Sequence, residues 1–263
     1  MSTDLAPVAR TAAEDAGDYL RERFVDGTTD AEYGTTDVKA HADREAERRI
    51  VDHLRAEFPD HAITAEESGH HEGDGDYRWV VDGLDGTNNF AAGIPTFGVS
   101  VAAVDADTDA PAAAAVSLPA LDDTYVAVRD GGVTHNGESV SVTDGETPPV
   151  EAGTVAFVIG HPVVYDGPGR ENADEIRWEL GQTAKRCIQT WAPVVHWALL
   201  SRGGLDGFVC LHPDEREQVP GELLATEAGC RRRSEGPLSA FAPTGEAAEE
   251  LLATAVSVRE PLD

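Results

Sequence analysis

Lysine is nearly absent from this sequence of 263 residues, because only Lys39 and Lys185 among its 20 basic residues are lysines. Aspartate and glutamate together number 49, and the formal net charge is −29. Acidic residues spread along the whole chain, with so few lysines, are typical of the solvated surface of a halophilic protein. An acidic tail for a cationic partner is the alternative interpretation, but no run of like charge is long enough to form one.

Basic patches, cysteine pairs and long apolar runs are lacking as well. The longest basic run covers only residues 231–233, so we expect no binding of nucleic acid. Cys187, Cys210 and Cys230 are far apart and form no C-x-x-C pair, which argues against a zinc knuckle or a disulfide framework. No apolar stretch approaches the roughly 20 residues that cross a bilayer, and the first residues lack the pattern of a signal peptide. We therefore expect a cytoplasmic protein without a membrane partner.

The order of the secondary-structure patterns predicts the fold class. Hydrophobic residues make up 41% of the chain, which is enough for a sizeable core. Helical and strand-like patterns alternate without a fixed repeat period, as in an α/β or α+β protein built from stacked layers. The polar, proline-containing residues 144–149 are the best candidate for a linker. We expect residues 1–146 to form a helix-plus-sheet half and residues 147–263 to form an α/β half.

Two aspartates stand out because they follow an apolar strand. Residues 78–82 have the pattern of a buried strand that ends at Asp82, and residues 83–89 are predicted to form a turn that opens a helix. The carboxyl end of a strand is where ligand sites of α/β sheets gather. Asp85 follows three residues after Asp82, and Gly86 permits a close approach of the backbone to a ligand.

The segment D-x-x-D-G-T suits phosphoryl chemistry. Two carboxylates and a backbone carbonyl on one turn can converge on hard divalent cations, which prefer oxygen ligands. The N–H groups of Gly86 and Thr87, in the first turn of a helix, can bind a phosphate oxygen. From the spacing alone, a turn in which Asp85 or Thr87 merely caps a helix is equally compatible. Glu66 and Glu67, taken alone in so acidic a chain, fit two solvated acids better than a site.

Several segments together resemble the inositol monophosphatase family, within the wider group of fructose bisphosphatases and bisphosphate nucleotidases. The central segment, residues 79–90 with the sequence WVVDGLDGTNNF, is similar to the family motif W-x-x-D-P-[IL]-D-G-T-x-N-F. Residues 65–68, AEES, are similar to the family's G-E-E-S. Further similarities, in the family's order, cover residues 95–101, 203–208 and 221–229.

This resemblance implies a layered αβαβα sandwich, a homodimer, and a magnesium-dependent phosphatase acting on a small phosphorylated metabolite. It implies two or three Mg²⁺ ions and inhibition by lithium, with the N-terminal half carrying the metal motif and the C-terminal half completing the site. By resemblance, the metal ligands in the N-terminal half are the side chains of Glu66, Asp82 and Asp85 and the carbonyl of Leu84.

The resemblance also assigns roles in catalysis and substrate binding. Asp43, Glu66 and Thr87 would be catalytic. Asp43 and Thr87 would orient the attacking water, and the phosphate monoester would be hydrolysed in line without a covalent intermediate. The remaining roles are phosphate binding by Gly86 and Thr87, and substrate binding by Asp85 and Ala192.

The C-terminal half departs from the family pattern at the metal site. Where the family has W-D-x-A-x-G, residues 216–221 read R-E-Q-V-P-G, so the family's metal aspartate falls on Glu217. A glutamate keeps the charge and the oxygen donors but is longer by one methylene group. Glu217 is therefore either a metal ligand or a surface acid. In the N-terminal half, Gly83 replaces the usual proline, which predicts a looser metal turn.

The substrate side departs from the pattern too. Trp191 stands where the family's G-[ST]-A-A begins, and there it would crowd a polyol. Cys210 replaces an acid that commonly contacts inositol, and a thiol is a poor hydrogen-bonding partner. The substrate therefore stays open among inositol, sugar and nucleotide phosphates. The alternative function is a catalytically weak or inactive relative that binds a metabolite or a partner protein.

Overall fold

The computed structural model describes residues 5–27, 31–33, 38–143, 147–164 and 166–258, which group into two compact units. The first unit comprises Met1–Ser139, Thr190–Ala198 and Glu215–Glu227, and the second comprises Val140–Gln189, Leu199–Asp214 and Ala228–Asp263. Two segments of the C-terminal half thus group with the first unit, whereas the sequence predicts a single division of the chain after residue 146. Residues 144–146 of the expected linker lie outside the described residues.

Eight helices and fifteen strands make up the described part of the chain. The helices are α1 (Leu5–Val25), α2 (His41–Glu57), α3 (Thr87–Ala92), α4 (His161–Val164), α5 (Gly167–Thr183), α6 (Pro193–Ser201), α7 (Glu215–Glu227) and α8 (Gly245–Ser257), with a 3₁₀ turn at Val150–Ala152. The strands are β1 (Ala31–Tyr33), β2 (Val38–Ala40), β3 (Ala62–Ala65), β4 (His70–His71), β5 (Tyr77–Asp85), β6 (Gly98–Asp105), β7 (Pro111–Leu118), β8 (Asp123–Val128), β9 (Gly132–His135), β10 (Glu138–Val140), β11 (Thr154–Ile159), β12 (Arg186–Ile188), β13 (Gly207–Leu211), β14 (Arg231–Glu235) and β15 (Leu238–Ala242). Among the described helices, none combines the length and the hydrophobicity that crossing a bilayer requires.

An eight-stranded sheet forms the centre of the first unit, in the order β10-β9-β8-β7-β6-β5-β3-β4. Strands β5 to β9 form an antiparallel meander, and β3 lies parallel to β5. Helix α1 packs on this sheet through small residues such as Ala13 and Ala16, and α2 packs through Ile50 and Leu54. Because its apolar side chains are buried in this core, α2 is held in a fixed position over β5.

A five-stranded sheet forms the centre of the second unit, in the order β12-β11-β13-β15-β14. Strands β12, β11 and β13 are parallel, while β15 and β14 are antiparallel to their neighbours. Helices α5 and α8 cover it through side chains such as Ile176 and Leu251. Asp166 caps α5 by accepting a hydrogen bond from the N–H of Gly169 at 3.0 Å. Both units thus combine helices with a sheet, as the alternation of sequence patterns predicts.

Candidate metal centre

The parallel pairing of β3 and β5 brings two acids to one edge of the sheet. Ala65 lies opposite Val81 in this pair. Because parallel strands point their carboxyl ends to the same edge, the following residues, Glu66 and Asp82, emerge side by side. Glu66 and Asp82 come from separate segments of the sequence, and this strand pair is what joins them.

A β-bulge in β5 directs Asp82 and Asp85 into one site. Residues three apart in a regular strand face opposite sides of the sheet. Here Asp82 pairs with Ser100 of β6 while Asp85 pairs with Gly98, so three steps along β5 oppose two steps along β6. One extra residue on one strand defines a bulge, which re-aims the side chains that follow it. The strand therefore continues to Asp85, whereas the sequence predicted a turn from residue 83, and α3 begins at Thr87.

Helix α7 supplies Glu217 from its first turn. Pro220 lies inside this helix and has no N–H, so the carbonyl of Arg216, four residues earlier, lacks its helical donor. The hydroxyl of the buried Ser100 donates to this carbonyl at 3.2 Å. The proline thus frees a carbonyl that ties the first turn of α7 to β6, the strand that pairs with the bulge.

Asp82, Asp85 and Glu217 form the one cluster of three or more potential metal-binding side chains among the described residues. A carboxylate oxygen of each lies within 4.8 Å of the corresponding oxygen of the other two. Asp82 and Asp85 are 2% and 5% exposed, and Glu217 is partly buried. All three donors are carboxylate oxygens, the ligand type that Mg²⁺ prefers.

An unpartnered oxygen atom nearby also fits a bound cation. Asp43 of α2 is buried, and its Oδ1 atom has no hydrogen-bond partner among the described residues. The Oδ2 atom of Asp43 accepts a long hydrogen bond of 3.4 Å from the hydroxyl of Thr87, which also donates to the carbonyl of Leu84 at 3.0 Å. A buried anion is strongly unfavourable unless its charge is compensated. Asp43 therefore suits a site in which a cation lies close by.

Burial and mutual repulsion raise the pKa of each of the three buried aspartates. Burial is the main cause in all three cases. The negative charge of Asp82 adds to the raised pKa of both Asp43 and Asp85, and that of Glu66 adds to the raised pKa of Asp82. Carboxylates that face one another away from water ionise together only beside a counter-cation. The arrangement thus favours binding of a divalent cation.

Glu66 lies at the rim of the acidic cluster. Its side chain is 34% exposed, and its Oε2 atom lies 3.5 Å from Nε of Arg216. The structure therefore places a positive charge of the chain itself next to a predicted metal ligand.

Glu47 belongs to the site, although the sequence analysis did not identify it. Its side chain on α2 is buried, and its carboxylate accepts hydrogen bonds from the N–H groups of Glu67 at 2.6 Å and Ser68 at 2.8 Å. These two residues directly follow Glu66. The available signal was spacing, because Glu47 lies four residues after Asp43 and so shares its face of the helix.

Gly83 allows α2 to approach the bulge. A Cβ atom at this position would lie 2.7 Å from the backbone nitrogen of Glu47, closer than such atoms can pack. Glycine in place of the family's proline predicts a looser turn. In the structure, the lack of a side chain at Gly83 instead allows close contact between α2 and β5.

The predicted phosphate-binding turn contains Gly86 in the left-handed conformation, with φ of 87°. The N–H of Gly86 donates to the carboxylate of Asp85, which also accepts the N–H of Val194 at 2.7 Å. Two backbone donors from separate segments therefore fix Asp85. Phosphate binding by Gly86 and Thr87 stays a prediction.

The residues expected on the substrate side differ in their exposure. Ala192 is fully buried, and its Cβ atom would be 3.0 Å from a Cβ atom at Gly86. Trp191 has a left-handed φ of 57°, and its side chain is partly exposed. Cys210, in the second unit, is fully buried and donates its S–H to the carbonyl of Ser239 at 3.6 Å. Contact between the side chain of Ala192 and a substrate also stays a prediction.

The comparisons with known proteins agree with one another. The model of the inositol monophosphatase family matches residues 1–256. A protein of Aquifex aeolicus named fructose-1,6-bisphosphatase/inositol-1-monophosphatase is 30% identical over 234 residues, which cover 84% of this chain and 82% of that protein. The Nus factor SuhB of Escherichia coli K12 is 31% identical over 229 residues, with the same shares covered.

Solved structures extend the likeness to the fold. The extragenic suppressor protein SuhB of Bartonella henselae superposes with a TM-score of 0.82 at 22% sequence identity, covering 96% of this chain and 97% of that one. This likeness confirms the predicted fold class. With a family match over nearly the whole sequence, the chain belongs to the inositol monophosphatase family.

Proposed function

We propose that this chain is a magnesium-dependent phosphatase that hydrolyses a small phosphate monoester. The observation that carries the proposal is the convergence of carboxylate oxygens from Asp82, Asp85 and Glu217. The name of the Aquifex aeolicus relative, fructose-1,6-bisphosphatase/inositol-1-monophosphatase, supports the reaction class. A cluster of carboxylates can hold the divalent cation that hydrolysis of a phosphate ester needs.

The residues that would hold Mg²⁺ are those of the acidic cluster. Asp82, Asp85 and Glu217 offer one oxygen each, and these oxygens lie within 4.8 Å of one another. By the family resemblance, the carbonyl of Leu84 and the carboxylate of Glu66 would be further donors. When bound there, the ion would neutralise charge on the phosphate group and on the leaving oxygen. The number of ions and the inhibition by lithium stay predictions.

Asp43 and Thr87 form a pair suited to orient water. The single hydroxyl proton of Thr87 is shared between the carbonyl of Leu84 at 3.0 Å and Oδ2 of Asp43 at 3.4 Å, so the oxygen lone pairs stay available to a water molecule. The unpartnered Oδ1 of Asp43 can accept a proton from that water. These two side chains would therefore orient and deprotonate the attacking water.

A phosphatase screen with matched variants tests the proposal. Phosphate release is measured with Mg²⁺ in molar KCl from inositol 1-phosphate, fructose 1,6-bisphosphate and 3′-phosphoadenosine 5′-phosphate. We expect turnover of at least one substrate, and a loss of at least about 100-fold in Asp82→Asn, which removes a central oxygen charge. Asp122→Asn is the control, because Asp122 is exposed on another turn and its left-handed φ of 59° suits asparagine. Absence of phosphate release across a broad ester panel would refute the proposal.

The second candidate function is binding without hydrolysis. It is favoured by Arg216 beside Glu66, because a guanidinium already compensates the charge of that predicted ligand. The Escherichia coli relative, named as a Nus factor, shows that relatives of this chain do not all carry the name of an enzyme. Calorimetry distinguishes the two functions, since heat of metabolite binding without phosphate release supports binding alone.

A further inference from the structure

Arg216 places a permanent positive charge beside the acidic cluster. Its Nε atom lies 3.5 Å from Oε2 of Glu66, and its side chain is only 26% exposed. It directly precedes Glu217, whose carboxylate belongs to the cluster. A guanidinium stays charged at all physiological pH values. This part of the cluster therefore contains a cation that the chain itself supplies.

The carbonyl of Arg216 and the side chain of the preceding residue both contact the first sheet. Its carbonyl accepts the hydrogen bond from Ser100, and the preceding residue, Glu215, pairs with Arg78 at 2.7 Å. The first turn of α7 is thereby tied to β6 and to β5. The guanidinium can therefore leave Glu66 by rotation of the Arg216 side chain, without movement of the helix.

The charge of Arg216 acts on the same acids that a divalent cation would use. Glu66 and Asp82 follow directly on the paired residues Ala65 and Val81, so the guanidinium 3.5 Å from Glu66 lies at the strand edge where Asp82 emerges. The guanidinium thus stabilises ionised carboxylates when no metal ion is bound. A divalent cation that approaches Glu66 meets electrostatic repulsion from the same group.

We propose that Arg216 is a positioning residue that competes with a divalent cation for Glu66 and so sets the metal affinity and stoichiometry of the centre. The inference rests on the proposed function, because it requires that the cluster binds divalent cations. With Arg216 in place, the first ion depends on Asp82, Asp85 and Glu217. An ion that uses Glu66 must displace the side chain of Arg216, which is partly exposed and can turn towards solvent.

Titration with Mn²⁺ tests the competition directly, because free Mn²⁺ gives a strong electron paramagnetic resonance signal and bound Mn²⁺ does not. The full chain and its variants are titrated in molar KCl. We expect Arg216→Gln to bind Mn²⁺ about tenfold more tightly, or to bind one more ion, because a repelling charge is removed. Arg216→Lys keeps a positive charge and should bind Mn²⁺ far more weakly than Arg216→Gln does.

Two further variants separate competition from a general charge effect. Arg44→Gln removes a positive charge 3.0 Å from the neighbouring Glu67 and should leave Mn²⁺ binding within about twofold of wild type. Glu66→Gln should abolish the gain of Arg216→Gln when the two are combined. Glu66→Gln alone should change the affinity for the first Mn²⁺ ion by no more than about threefold, because Arg216 already occupies Glu66.

Each outcome decides the inference. Unchanged or weaker Mn²⁺ binding in Arg216→Gln, or an equal gain in Arg44→Gln, overturns it while leaving the proposed function intact. A large loss of affinity for the first Mn²⁺ ion in Glu66→Gln alone overturns the inference too. This measurement tests the inference even if Arg216→Gln fails to fold. If wild type and every variant fail to bind Mn²⁺, the inference and the proposed function fall together.

Discussion

At the scale of single residues, Glu47 holds the segment that carries Glu66. Its carboxylate accepts two short hydrogen bonds from the backbone, at 2.6 and 2.8 Å. Hydrogen bonds to an ionised acceptor are about twice as strong as those between neutral groups. Because Glu47 is 1% exposed, water has little access to replace these bonds. The position of Glu66 therefore depends on an acid that does not belong to the carboxylate cluster.

Replacing Glu47 by glutamine tests this dependence. One of the two N–H groups would then face an amide group that cannot accept its bond, so we expect Glu47→Gln to lower the free energy of unfolding by about 1–3 kcal/mol. Urea denaturation in molar KCl measures the change. Glu57→Gln, at the exposed end of the same helix, should stay within about 0.5 kcal/mol of wild type. Equal stabilities of the two variants would contradict this account.

Gly83 offers a second test at the residue scale. A methyl group at this position collides with the backbone of Glu47, so Gly83→Ala should lower the free energy of unfolding by about 1–3 kcal/mol. Gly167→Ala is the matched control, because no atom lies within 4 Å of a Cβ atom there and the helix favours alanine. If both variants unfold at the same urea concentration, the close contact of α2 with β5 is unimportant.

At the scale of elements, the bulge in β5 and the first turn of α7 are joined through Ser100. This residue pairs with Asp82 across the sheet and donates its hydroxyl to the carbonyl of Arg216. That carbonyl is available only because Pro220 cannot donate to it. One buried hydroxyl thus fixes the spacing between the bulge and the helix that carries Glu217.

A double-mutant cycle isolates this connection. Ser100→Ala leaves the carbonyl of Arg216 without a donor, and we expect a loss of about 1–3 kcal/mol in the free energy of unfolding. Pro220→Ala restores an N–H that can bond to the same carbonyl within the helix, so it should recover part of this loss in the double variant. Strictly additive effects of the two substitutions would show that the sites do not share this carbonyl.

Local patterns predicted the elements well but not the way in which they meet. The apolar residues of β5 and the motif around Asp82 were visible in the sequence, because strand burial and turn chemistry are local. The bulge was not visible, because it depends on the register with β6, which lies farther along the chain. The contact of Arg216 with Glu66 was equally hidden, since it needs both the parallel strand pair and the anchored first turn of α7.

At the scale of the whole molecule, His196 gives stability a dependence on pH. Burial lowers the pKa of His196 to about 4, and its Nε2 atom shares a hydrogen bond of 2.9 Å with the hydroxyl of Thr190. The unfolded chain binds a proton below about pH 6.5, whereas the folded chain does so only near pH 4. The contribution of neutral, buried His196 to the free energy of unfolding is therefore complete above pH 6.5 and is lost as the pH falls towards 4.

Replacing His196 by glutamine should remove this component. Between about pH 7 and pH 4.5, wild type should lose up to about 3 kcal/mol more stability than His196→Gln. Urea denaturation at the two pH values measures the difference, and His41→Gln, at an exposed position, is the control. Identical losses in wild type and His196→Gln would contradict the prediction.

The net charge of −29 leads to a prediction about salt. Raising KCl from about 0.15 M to about 1 M shortens the Debye length from about 8 Å to about 3 Å, so repulsion between acidic side chains weakens. We expect the melting temperature to rise with KCl, and to rise more than in sorbitol of equal osmolality. Calorimetry measures both, and a melting temperature that falls with KCl would contradict a surface adapted to salt.

The order of the segments in the first unit has a consequence for synthesis of the protein. Asp82 and Asp85 are translated well before Glu217, which lies in Glu215–Glu227, a later segment that groups with the first unit. A nascent chain that has not yet emerged beyond this helix lacks one of the three clustered carboxylates and the guanidinium beside them. Capture of a divalent ion by the full donor set would therefore require translation through α7, and a ribosome stalled before α7 would carry the aspartates without their partner.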